Sequence, residues 1–168
     1  NNTITVNGVA KAFAMTGWRI GYIGAPEFIA KACTKMQGQV TSGANSIAQR
    51  ATIAALQANP SQIKYMVDAF HKRRDLVFGL MKDIPGFKLT NPEGAFYVFP
   101  DVSYYFGKTV KGTEIKDATD FAMYLLAEAN VATVTGEAFG SPNCLRLSYA
   151  TSEEQLIEAI SRIKNALA

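Results

Sequence analysis

The sequence predicts an α/β fold in two parts, and three observations carry that expectation. Short β-branched or aromatic runs alternate with segments whose apolar residues recur every three to four positions. Proline–glycine punctuation separates them, and the pattern changes character near Pro60. Hydrophobic residues make up 48% of the 168-residue chain and the net charge is only +3, so the chain can bury a core and disorder is not expected.

The elements follow in order. Thr3 to Val6 is β-branched at alternate positions and reads as a strand broken by Asn7-Gly8. Trp18 to Gly24 reads as a second strand. Pro26-Glu27 suits a helix start, with proline and an acid in the first turn, and that helix runs to about Gln39. Asn45 is placed to cap a helix ending near Asn59-Pro60. Ser61 then caps a long amphipathic helix through Ile63, Met66, Phe70, Val77 and Leu80, closed by Pro85-Gly86.

Phe87 to Leu89 and Ala95 to Phe99 read as strands around the turn Asn91-Pro92-Glu93-Gly94. Ala118 to Asn130 reads as a helix with Phe121, Leu125 and Leu126 on one face. Val131 to Val134 and Leu145 to Tyr149 are strands, and Ser152 caps a last helix with Gln155 at the reciprocal capping-box position. Residues 1–59 therefore read as the tail of one domain, and 60–168 as a small α/β domain with its connecting helix.

Several function classes are disfavoured. The basic residues are scattered, which predicts neither a nucleic-acid nor a membrane footprint. Cys33 and Cys144 lie far apart and His71 is the single histidine, so no metal site is expected and the cysteines read as free buried thiols. No apolar run approaches the roughly 18–20 residues of a membrane span. The expectation is a soluble, cytoplasmic protein. Asn1-Asn2 lead directly into a strand with no methionine, so the chain reads as a piece of something longer.

The chemistry concentrates in residues 7–22, NGVAKAFAMTGWRIGY. Lys11 sits among Val9, Ala10, Ala12, Phe13 and Ala14, surroundings expected to desolvate the ammonium and lower its pKa. A neutral amine can attack a carbonyl. Arg19 offers a planar fork for phosphate oxygens, beside the hydroxyl of Thr16 and the bare backbone of Gly17. An amine with a phosphate clamp suits a phosphorylated aldehyde cofactor such as pyridoxal phosphate. On residue chemistry alone, Lys11 is equally a solvated loop charge and Arg19 a cation stacked on Trp18.

The run from Val9 to Tyr22 closely resembles the lysine signature of class I aminotransferases, the fold-type I family that includes aspartate aminotransferase. Three further segments match in order: Asn91 to Phe99, Gly136 to Gly140, and Asn143 to Ala150. The resemblance implies a pyridoxal 5'-phosphate-dependent enzyme that moves an amino group from an amino acid, aspartate or aromatic, to a 2-oxo acid. It implies that Lys11 bonds to the cofactor aldehyde and shuttles the proton between substrate Cα and cofactor C4′, and that Arg19 binds the phosphate. Arg146 would hold the substrate α-carboxylate and Phe96 would line its pocket. Residues 1–59 would be the end of the cofactor-binding large domain, and the protein a homodimer, with Ser42 and Asn45 near the neighbouring subunit's phosphate.

The residues leave plainer readings open. Arg146 on an apolar strand could pair with Glu137, Phe96 and Tyr97 could be core, and Asn45 could be only a helix cap. His71 and its basic neighbours read as an exposed helix face. Family members often carry serine at the position of Ala10 and proline at that of Thr135, so one phosphate donor is missing. The family's phosphate-binding turn, ring-stacking aromatic and ring-nitrogen aspartate are not in these 168 residues, so the chain alone is expected to be inactive. Carbon–sulfur lyases and aminotransferase-like sensor modules of transcription regulators share the Lys11, Arg19 and Arg146 positions and stand as alternatives.

Overall fold

Asn45, Asp117 and Ser152 show how single side chains set where the helices begin. Each accepts hydrogen bonds from backbone amides that the first helical turn leaves without partners. Asn45 Oδ1 accepts from Ala48 N at 3.0 Å, and Ser152 Oγ from Gln155 N at 3.3 Å. Asp117 Oδ1 accepts from both Thr119 N and Asp120 N. The computed structural model describes residues 2–168 and divides into two units, Asn1–Tyr65 and Met66–Ala168.

The first unit pairs β1 (Thr5–Gly8) antiparallel with β2 (Gly21–Gly24), followed by α1 (Glu27–Val40) and α2 (Ser46–Gln57). Both strands are shifted from expectation. β1 lies two residues later and includes Asn7-Gly8, while Thr16–Trp18 forms a 3-10 turn rather than the start of β2. The apolar surroundings of Lys11 are also corrected: Val9 is buried, but Lys11, Ala12 and Ala14 are exposed. Cys33 is exposed rather than buried. Apolar side chains on α1 and α2 face solvent, with Phe28 74%, Val40 73% and Ile47 69% exposed.

The second unit carries most of the chain's core. The long helix α3 (Lys64–Met81) starts later than Ser61 would place it, because Asn59 caps a separate 3-10 turn at Pro60–Ile63. β3 (Tyr97–Val98) pairs antiparallel with β7 (Leu145–Ser148), which pairs on its other side with β6 (Val134–Thr135). Residues 87–89 contribute only the bridge Lys88–Asp101, not a strand. Strand β6 falls at the end of the expected 131–134 run.

A hairpin not anticipated from sequence, β4 (Lys108–Val110) and β5 (Thr113–Ile115), precedes α4 (Ala118–Ala129). Helix α4 presents Phe121, Tyr124 and Leu125 to the core, whereas Leu126 is exposed. The amphipathic α5 (Glu153–Leu167) buries Leu156, Ile160, Ile163 and Ala166 at spacings of three and four, the stripe a single helix face supplies. An aromatic cluster knits these elements together. The Tyr105 and Phe121 rings stack with centroids 4.7 Å apart, and Phe87 meets both edge-on.

Candidate functional site

The predicted residues fall two in each unit. Lys11 and Arg19 belong to the first, Phe96 and Arg146 to the second.

Arg19 ends the 3-10 turn in a left-handed conformation, φ 54° and ψ 47°. That conformation costs a non-glycine residue about 1–2 kcal/mol, and such strain concentrates at functional positions. The guanidinium Nη1 donates to the Thr16 carbonyl at 2.8 Å, which turns the side chain back over its own loop. It lines an open cleft of about 600 Å³ together with Gln37, Thr41, Gly43 and Asn45. Lys11 is exposed on the loop between β1 and the turn and does not line that cleft. Ser42, in the stretch between α1 and α2, also has a left-handed backbone, φ 64°. Asn45 spends its side-chain oxygen on the α2 cap.

In the second unit Arg146 lies at the centre of β7, between β3 and β6. Among the described residues it forms no ion pair, so the alternative pairing with Glu137 is not realised. Its guanidinium carbon instead sits 4.4 Å from the Tyr97 ring centroid and 4.3 Å from that of Phe139. Phe96 is half-buried, with ring centroids 4.5 Å from Tyr97 and 6.0 Å from Phe70. Tyr97 is therefore the common neighbour of both predicted substrate residues.

The backbone around Phe96 is fixed by Tyr149. The Tyr149 amide donates to the Phe96 carbonyl at 2.9 Å and its hydroxyl to the Ala95 carbonyl at 3.1 Å. Ala95 has φ 60°, a turn that this bond holds in place. Burial pushes the Tyr149 phenol pKa up. Burial likewise raises the Cys144 thiol, with a smaller contribution from Asp101.

Phe139 was not singled out from sequence. It lies in the 3-10 turn Gly136–Phe139, braced edge-on by Phe99 at 6.2 Å. The signal available was the pattern Gly136-Glu137-Ala138-Phe139-Gly140, in which an aromatic sits inside a loop rather than a core element. Gly136 anchors this turn: a Cβ there would stand 2.2 Å from the Ser141 carbonyl oxygen and 2.6 Å from that of Cys144. Among the described residues, no group of three or more His, Cys, Asp or Glu could hold a metal ion, and no helix is long and apolar enough to cross a membrane.

Residues 1–163 match the family model described as aminotransferase class I and II. The chain is 49% identical over 99% of its length to an aspartate aminotransferase of Rhizobium meliloti, of which it covers 41%. It is 47% identical to a bifunctional aspartate aminotransferase and glutamate/aspartate-prephenate aminotransferase of Petunia hybrida, covering 99% of this chain and 36% of that protein. The crystal structure of an aspartate aminotransferase from Rhizobium meliloti superposes with a TM-score of 0.95 at 48% identity, over 99% of this chain and 42% of that one. The chain thus spans well under half the length of these relatives.

Proposed function

Because the chain belongs to the class I and II aminotransferases, we propose that the protein carrying it transfers an amino group from an amino acid to a 2-oxo acid, with aspartate or an aromatic amino acid as donor. Family membership implies pyridoxal 5'-phosphate as the cofactor. The observation that carries the reading is Arg146: a guanidinium in the middle of a sheet, held by two rings and with no carboxylate partner among the described residues. A buried or half-buried cation ordinarily has an acid beside it. A substrate carboxylate supplies one.

The residues fit the cofactor. Lys11 carries an exposed primary amine, the group that condenses with an aldehyde, and the cleft lined by Arg19 adds the hydrogen-bonding side chains of Gln37 and Thr41, a donor set suited to a phosphate. When bound, pyridoxal 5'-phosphate would supply the electron sink for the pair left as the substrate Cα–H bond breaks. Arg19 would hold the phosphate through its planar fork. Arg146 holds the α-carboxylate in two parallel hydrogen bonds, which orients the Cα–H bond. Lys11 Nζ takes the proton from Cα, general-base work within reach of a positioned amine. Phe96 lines the side-chain pocket. We place the enzyme in a homodimer and in the cytoplasm, where an exposed thiol at Cys33 stays reduced.

Borohydride reduction of the full-length holoenzyme followed by peptide mapping tests the assignment. The reduced label is expected on Lys11, and a label on any other residue overturns it. Assays with aspartate and 2-oxoglutarate are expected to give glutamate and oxaloacetate. Release of pyruvate and ammonia without an acceptor would identify a lyase instead.

A further inference from the structure

We propose that Tyr97 and Phe139 are positioning residues that hold the Arg146 guanidinium ready for a substrate carboxylate, an inference that rests on the reading of Arg146 given above. Strand register places Tyr97 opposite Ser148, two residues from Arg146 on β7, so Tyr97 and Arg146 project from the same face as diagonal neighbours. Phe139 reaches the guanidinium from the turn that follows β6. Each ring is itself braced, Tyr97 by Phe96 at 4.5 Å and Phe139 by Phe99 at 6.2 Å.

Hydrophobic burial does not explain Phe139, which remains 48% exposed. Its ring is spent on the cation. An aromatic face attracts a guanidinium electrostatically yet takes up none of its five N–H donors. Among the described residues Arg146 makes no ion pair and no side-chain hydrogen bond, so nothing in this unit occupies those donors. A carboxylate partner such as Glu137 would have consumed them and competed directly with substrate. Two rings also restrict a long, rotamer-rich side chain before substrate arrives, which lowers the entropy cost of binding. The arrangement stabilises the charge without occupying the site.

The test uses the full-length holoenzyme and compares Phe139→Leu and Tyr97→Leu with the aromatic replacements Phe139→Tyr and Tyr97→Phe, alongside Arg146→Ala. The leucine variants are expected to raise the KM for the amino acid donor about 3- to 10-fold each, the range that a cation–π contact of this kind represents. Cofactor affinity and melting temperature are expected to stay at wild-type values, and the aromatic replacements to restore the KM. An unchanged KM in the leucine variants overturns the proposal, as does a KM rise that tracks a fall in melting temperature. If Arg146→Ala raises the KM and the leucine variants do not, the positioning role fails while the carboxylate assignment stands. If Arg146→Ala itself leaves the KM unchanged, both fall.

Discussion

The Tyr124 hydroxyl donates to the Ala166 carbonyl at 2.6 Å, tying the middle of α4 to the last turn of α5 across forty-two positions of sequence. Lys111 Nζ donates to the neighbouring Asn165 carbonyl at 2.7 Å. Two side chains from different elements thus satisfy carbonyls that the end of a helix leaves without partners. Tyr124→Phe is expected to destabilise the second unit by about 1 kcal/mol, the net value of a buried hydrogen bond. Lys111→Ala, at the exposed helix end, is expected to cost about 0.5 kcal/mol. Urea midpoints of the two variants check the order.

Tyr105 makes stability sensitive to alkali. Its phenol is pushed up to about 12, first by burial and then by neighbouring Tyr104, and its hydroxyl donates to the Pro85 carbonyl. The folded state therefore favours the protonated form. That contribution is fully present below the ordinary value of 10.0 and is lost as pH rises toward about 12. Tyr105→Phe is expected to flatten the fall in melting temperature over this window, while lowering stability at neutral pH through loss of the Pro85 bond.

Asp101 works in the opposite direction. Its carboxyl lies below the usual value of 3.8, chiefly through hydrogen bonding by the Ser103 side chain, with the Ser103 amide at 2.8 Å and Lys88 3.8 Å away adding to the effect. The depressed pKa favours the ionised form in the folded state. Its contribution is present above the ordinary carboxylate value and is lost as pH falls below it. Asp101→Asn is expected to reduce the acid sensitivity of the second unit, measured as the difference in urea midpoint between pH 6 and pH 3.

Arg19→Lys keeps the charge and loses the fork. In the holoenzyme it is expected to weaken cofactor binding about tenfold or more, the loss of one charge-assisted hydrogen bond or more. Ala10→Ser, which adds a hydroxyl beside Lys11, is expected to tighten it. Cofactor dissociation constants measured by absorbance titration check both directions.

Much of the helical framework was legible because its signals are local. Asn45, Ser152 and the Pro26-Glu27 start each act within one turn, and all three helices begin where those residues place them. The hairpin of β4 and β5 was not legible. Its two-residue loop is Lys111-Gly112, with φ 45° and 89°, and lysine at the first position hides the turn that asparagine would have announced. Ser61 does not start α3, because Asn59 caps a separate 3-10 turn over Pro60–Ile63 first. At the site, residue chemistry raised Lys11 and Arg19 as candidates, and only the family resemblance added Arg146 and Phe96. Composition could not report that the small apolar neighbours of Lys11 leave it exposed. Nor could it report that Arg146 meets two rings instead of an acid, because that pairing depends on strand register and on a turn seven residues away in sequence.

Gly136→Ala is expected to cost about 3 kcal/mol, since the new methyl would overlap two backbone carbonyls that cannot move independently. Thermal melts check this. The KM for the amino acid donor should rise in the same variant, because the turn carrying Phe139 shifts with its anchor.

That anchor has a practical consequence for redesign. The Gly136 amide donates to the Cys144 carbonyl at 2.7 Å and the Gly136 carbonyl accepts from the Ser141 amide at 3.0 Å, so residues 137–140 form a staple whose feet are main chain. Side-chain diversity at 137 and 138 can be sampled in a combinatorial library without loosening the feet or removing the Phe139 ring from Arg146. Substrate range should evolve there more readily than at any strand position around Arg146.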